Sequence, residues 1–117
     1  LHLAAEWRLS QLNAVAASAL YPWDYKYDLI LGTGNVLRGN LDQAIRRLDE
    51  TLSRSPRSIA ALNNLGVALA MKGQKKKAER ALIRALALSP TDPLARKNLA
   101  IARGWASGKY ELGMVGS

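Results

Sequence analysis

The 117-residue chain has no cysteine, no phenylalanine and a single histidine, His2. Without thiols there is neither a disulfide framework nor a thiolate nucleophile, and the redox compartment stays open between cytoplasm and periplasm. Aromatic residues make up only 6% of the chain while 49% of it is hydrophobic, which points to a core of Leu, Ala and Val carried on helices. No apolar run approaches the roughly 20 residues that span a bilayer. The alanine-rich opening is broken by Glu6, Arg8, Gln11 and Asn13, so it does not read as a signal peptide. Because the chain opens on Leu1, it reads as an excised or processed piece of a longer parent.

Acidic residues are scarce, nine against 17 basic ones, for a net charge of +8. The imbalance sits in the second half: residues 1–58 carry seven basic and six acidic side chains, residues 59–117 ten and three. Such asymmetry favours an acidic partner, anionic lipid or nucleic acid there and says nothing about fold. Catalytic sets are also missing. His2 stands alone, and the scattered acids mostly neighbour Arg or Lys. Asp24 and Asp28 share a helix face without a third ligand, so they read as helix-start charges. Gly32-Thr33-Gly34 lacks the preceding strand and the spacing of a dinucleotide loop. The expectation is a protein that is not an enzyme, with no cofactor, metal or small-molecule substrate.

What is present is a repeat. At an offset of 34 residues, Leu31 aligns with Leu65, Gly32 with Gly66, Gly39 with Gly73 and Ala44 with Ala78. The register continues through Leu48 and Leu82, Leu52 and Leu86, and Pro56 and Pro90. Leu62, Leu65 and Leu69 recur at helical spacing, as do Ala78, Leu82, Ala85 and Leu86, so each unit contains two amphipathic helices. Gly39 and Gly73 follow a helical run where a left-handed cap is needed, and Thr91-Asp92-Pro93 supplies a capping side chain before a further helix. A mid-helix glycine costs roughly 1 kcal/mol relative to Ala, so Gly32 and Gly66 must serve close packing. The expected crossing points are Gly32 on Ala44 and Gly66 on Ala78.

These residues resemble the tetratricopeptide repeat, whose motif runs W-x2-L-G-x2-Y, then Ala, a large apolar residue and Pro. One unit matches through Leu62, Leu65-Gly66, Leu69, Ala78, Leu82 and Pro90. The other matches through Leu31-Gly32, Ala44, Leu48 and Pro56, with Asp28 and Asn35 where large apolar residues are usual. The resemblance covers about residues 8–106 and implies an all-α, right-handed solenoid of antiparallel helix pairs. About six helices are expected, near 3–20, 25–38, 41–54, 58–72, 75–89 and 92–106. They would form a single domain of a half-repeat helix (1–22), repeats at 25–58 and 59–92, a terminal half-repeat helix (93–106) and a tail (107–117).

In the family the first helices line a concave groove, which implies a partner-binding surface here. The first unit would contribute Lys26, Leu29, Thr33, Val36 and Leu37, and the second Ala60, Asn63, Asn64, Val67, Ala70 and Met71. Lys97, Asn98, Ile101 and Trp105 would extend it. Such a groove suits an extended peptide or an amphipathic helix of a partner protein. A carboxylate clamp known in the family is mostly missing. Asn64 takes the central place, but Leu29, Thr33 and Leu94 stand where Lys, Asn and Lys are required, and Asn98 replaces a basic residue.

A basic surface is expected from Lys72, Lys75, Lys76, Lys77, Arg80 and Arg84. No aromatic residue lies among these lysines, so base stacking is not implied, and the run reads either as a solvated face or as a contact for anionic lipid or nucleic-acid phosphate. The stretch Tyr21 to Tyr27 holds four of the seven aromatics and reads as core plugging at a repeat junction, or as a partner-docking spot. Self-association through the solenoid ends is one way to cover their apolar faces. The leading expectation is a protein-protein interaction scaffold. The alternatives are a basic-face module, or the soluble assembly tail of a larger bacterial membrane protein.

Overall fold

Each unit closes the same way because the same residues recur at the same places. The computed structural model describes residues 25–104, with side chains from Leu29 onward, and every regular element among them is an α-helix. These are α1 (Tyr25–Leu37), α2 (Leu41–Arg54), α3 (Ile59–Met71), α4 (Lys75–Leu88) and α5 (Pro93–Arg103). The helix expected near 3–20 lies outside the described residues. The last one stops at Arg103, short of the expected 106, with Gly104 as its C-cap.

The helix ends carry the predicted signals. After α1, the Gly39 N–H donates to Val36 O at 3.0 Å and the Asn40 N–H to Asn35 O at 2.8 Å. After α3, Gly73 and Gln74 bond Ala70 and Leu69 in the same pattern, at 3.0 and 2.9 Å. This double closure requires a left-handed residue, and Gly39 and Gly73 supply it at φ +78° and +86°. At the N-terminus of α3, Ser58 Oγ accepts from the Ala61 N–H, and at α5 Asp92 Oδ1 accepts from the Ala95 N–H, with Pro93 at the first helical position.

α1 packs antiparallel on α2 and α3 on α4, after which α2 meets α3 and α4 meets α5, so consecutive pairs stack. The first helices also touch one another, α1 against α3 and α3 against α5. Ala44, Leu48, Leu62, Ala78 and Leu82 are fully buried between these layers. Residues 61–70 of α3 are all buried, consistent with its apolar composition on every side.

The mid-helix glycines serve close packing, but against a different partner from the one expected. A Cβ on Gly66 would stand 2.6 Å from Leu82 Cγ, and one on Gly32 2.8 Å from Leu48 Cγ. The contact is thus made by the leucine one turn beyond Ala78 or Ala44. An alanine cannot reach the facing backbone, whereas leucine extends far enough to fill the space a side chain would have taken.

Alanine at position 66 would gain about 1 kcal/mol of helix propensity. It would also drive its methyl into fully buried Leu82, and overpacking of this kind costs about 1–3 kcal/mol. Gly66→Ala should therefore lower the urea midpoint; a midpoint equal to or above wild type would refute the close approach.

Candidate interaction surface

The side-by-side packing of α1, α3 and α5 brings their polar side chains into one buried row. Asn98 Nδ2 on α5 donates to Asn63 Oδ1 on α3 at 2.8 Å. Asn63 Nδ2 donates to the neighbouring Asn64 Oδ1 at 3.2 Å, and Asn64 Nδ2 crosses to Thr33 Oγ1 on α1 at 2.9 Å. Thr33 Oγ1 donates in turn to Leu29 O at 2.9 Å. The row runs diagonally through the stack, and Asn63, Asn64 and Asn98 are essentially without solvent exposure. A buried amide left without a partner costs about 1–3 kcal/mol, so this row fixes how successive first helices register.

The expected groove residues divide accordingly. Thr33, Val36, Asn63, Asn64, Val67, Ala70 and Asn98 are buried, where a solvent-lined groove would expose them. The polar members are engaged by other helices and the apolar members by close packing. Leu29, Ala60 and Ile101 are half-buried, and Lys97 is exposed. Leu37 and Met71, 34 residues apart in the last turns of α1 and α3, keep 48% and 43% of their surface exposed. The side chain of Lys26, and Trp105, lie outside the described residues. Ile83, on α4, is a third exposed large apolar residue, at 47%. The 34-residue offset aligns Ile83 with Asp49, which is why an apolar-period reading of one helix did not single it out.

The basic residues Lys72, Lys75, Lys76, Lys77, Arg80 and Arg84 are all exposed. Lys72 is not simply a surface charge, because its Nζ is bonded to Asp42 on α2 and so ties the first unit to the second. Lys75, Lys76 and Lys77 fill the first turn of α4, where there is no acid and no side-chain cap. Cations there oppose the helix dipole, so the local sequence is not chosen for helix stability.

Beside the Asp42–Lys72 bridge lies a notch of about 300 Å³ lined by Ile45, Asp49, Leu65, Leu69 and Lys77 among others. The hydrogen bond from Lys72, then its charge, holds the Asp42 carboxyl below its ordinary 3.8. Partial desolvation pushes Asp49 the other way. No helix among the described residues is long and apolar enough to cross a membrane.

A tetratricopeptide repeat family model matches residues 37–93, across the two Schellman-type turns and both Gly-Leu contacts' second helices. Over that stretch the sequence is similar to the tetratricopeptide repeat. No curated protein matches its sequence. Among solved structures, a Thermobaculum terrenum O-GlcNAc transferase variant superposes with a TM-score of 0.79 at 23% identity, over 86% of this chain. This chain spans only 19% of that transferase. The Yersinia enterocolitica type III secretion chaperone SycD, solved with a peptide of the translocator YopD, superposes with a TM-score of 0.76 at 18% identity. That match covers 87% of this chain and 83% of the chaperone. At such identities the likeness is one of fold.

Two predictions follow from the buried row and the notch. Asn64→Ala removes the donor to Thr33 Oγ1 and the acceptor of Asn63 Nδ2 and should lower stability by about 1–3 kcal/mol in urea unfolding. Asp42, with a depressed folded value, stabilises above its unfolded value and loses that contribution as pH falls; Asp49, with a raised one, is a cost at neutral pH that acid relieves. Urea midpoints at pH 7 should accordingly fall for Asp42→Asn and rise for Asp49→Asn, both differences shrinking by pH 3.

Proposed function

We propose that this chain is a non-catalytic docking module that receives an extended or helical segment of a partner protein along the inner side of its stacked first helices. The observation that carries the reading is the pair Leu37 and Met71, exposed apolar side chains at equivalent positions of successive repeats. A partner segment crossing the stack would meet both, and half-buried Leu29, Ala60 and Ile101 and exposed Lys97 lie on the same set of first helices. The buried amide row beneath holds these helices rigid, so little ordering cost falls on the receiving surface. A fold shared with a chaperone solved around a translocator peptide supports the same reading. Trp105 continues the 34-residue series after Leu37 and Met71 and belongs to the proposed surface.

A second reading rests on the lysines of α4: Lys75, Lys76 and Lys77 offer an anionic surface or nucleic-acid phosphate a cluster of charge at a helix N-terminus. The two readings differ in salt dependence, since apolar docking survives physiological ionic strength and a phosphate contact weakens steeply. The same array also fits an assembly segment within a longer parent.

The test is affinity capture of a partner by the full chain, followed by titration against variants. Burying a large aliphatic side chain contributes about 1.5–3 kcal/mol, so Leu37→Glu combined with Met71→Glu should weaken the captured partner at least tenfold without changing the circular dichroism spectrum. Reversal of Lys75, Lys76 and Lys77 should alter association rate more than affinity. Unchanged affinity in the Leu37/Met71 variant would remove the docking assignment.

A further inference from the structure

The notch beside Asp42 and Lys72 has a counterpart one repeat earlier. This first notch, of about 310 Å³, is lined by Leu31, Asn35 and Arg38 from α1 and its cap, and by Gln43, Arg46 and Arg47 from α2. Leu31, Asn35, Arg38 and Gln43 stand 34 residues before Leu65, Leu69, Lys72 and Lys77 of the second notch, so the two are built on the same plan. Their charges are not alike. In the second notch Asp42 and Asp49 line the same space as the two lysines, whereas no carboxylate among the described residues lines the first.

A second observation lies within the first notch. Asn35, where the repeat motif usually has a large apolar residue, is only 6% exposed. Its Oδ1 accepts from Arg38 Nη2 at 3.0 Å, which turns the guanidinium toward the notch. Among the described residues its Nδ2 has no acceptor, and a buried donor without one is uncommon enough to need a reason. Arg47 already faces Glu50 at 3.9 Å and makes a further interaction, so the weight falls on Arg38, Arg46 and the Asn35 amide.

We infer that this notch binds a phosphate group carried on a small organic residue. Guanidinium groups meet phosphate oxygens through paired N–H donors, and the Asn35 Nδ2 gains the acceptor it lacks. The cavity is larger than a bare oxyanion and sits at the lower end of the range of small-molecule sites, about 300–1,000 Å³, leaving Leu31 as an apolar wall for the organic part. The site is separate from the lysines at the start of α4, which belong to the second unit.

The experiment titrates the full chain with glycerol 3-phosphate, with inorganic phosphate and with chloride at matched ionic strength, by calorimetry. Glycerol 3-phosphate should bind saturably at one site and more tightly than inorganic phosphate, and chloride should give no heat. Arg46→Ala should weaken binding at least tenfold, while reversal of Lys75, Lys76 and Lys77 should leave it within twofold. Amide NMR of the unmodified chain guards against misfolded variants: the Asn35 side-chain NH2 pair should shift on ligand addition. Vesicles containing phosphatidic acid distinguish the source: binding to them with the same dependence on Arg46 assigns the phosphate to a lipid headgroup. No saturable response to any of these probes, an unmoved Asn35 pair, or loss of binding on lysine reversal but not on Arg46→Ala would overturn the assignment.

Discussion

Leu48 and Leu82 press against the bare backbone of Gly32 and Gly66, to within 2.8 and 2.6 Å of where a Cβ would stand. That approach sets the spacing of each antiparallel pair, and the spacing in turn decides which side chains of neighbouring units can meet. Ala44 and Ala78, fully buried nearby, keep the second helices slim enough to lie in. The loss of helix propensity at the two glycines is offset by burial of two whole leucine side chains, about 1.5–3 kcal/mol each. A fold assembled from such pairs needs no disulfide and no large aromatic core, which fits a chain without cysteine or phenylalanine.

Between pairs, the joining forces are polar as well as apolar. The row from Asn98 through Asn63 and Asn64 to Thr33 links three first helices in a low-dielectric interior, where a mismatched amide is costly and a matched one selects a single register. On the outer side, Asp42 and Lys72 join α2 to the end of α3, across an interval of thirty residues. The bridge is exposed, so its value lies more in orientation than in stability. The same register carries the two notches, but among the described residues only the second is lined by carboxylates.

The proposed interaction surface is a consequence of this packing rather than of any special residue. Once the inner side chains of the first helices are committed to one another, the large apolar side chains that α1 and α3 leave exposed are Leu37 and Met71, where the chain turns away at Gly39 and Gly73. Rigid support beneath and apolar surface above is the combination that lets a repeat array hold a partner segment without first ordering itself.

The helix pairs, most of their caps and their length were legible in the chain because 34-residue periodicity, left-handed glycines and Asp92 act through neighbours in sequence. The six basic side chains of the second unit were likewise readable as exposed, since a charged helix face seldom has anywhere else to go. Three things waited for tertiary structure: that the side chain nearest Gly66 is Leu82, which of two readings, helix-to-helix or peptide-backbone hydrogen bonding, Asn64 and Asn98 follow, and that Asn35 and Arg38 share a notch with Arg46. Periodicity assigns a residue to a side of its helix. How far a side chain reaches, and which donor finds which acceptor across 31 or 35 residues, depends on the distance and rotation between helices, and those exist only once the pairs have stacked.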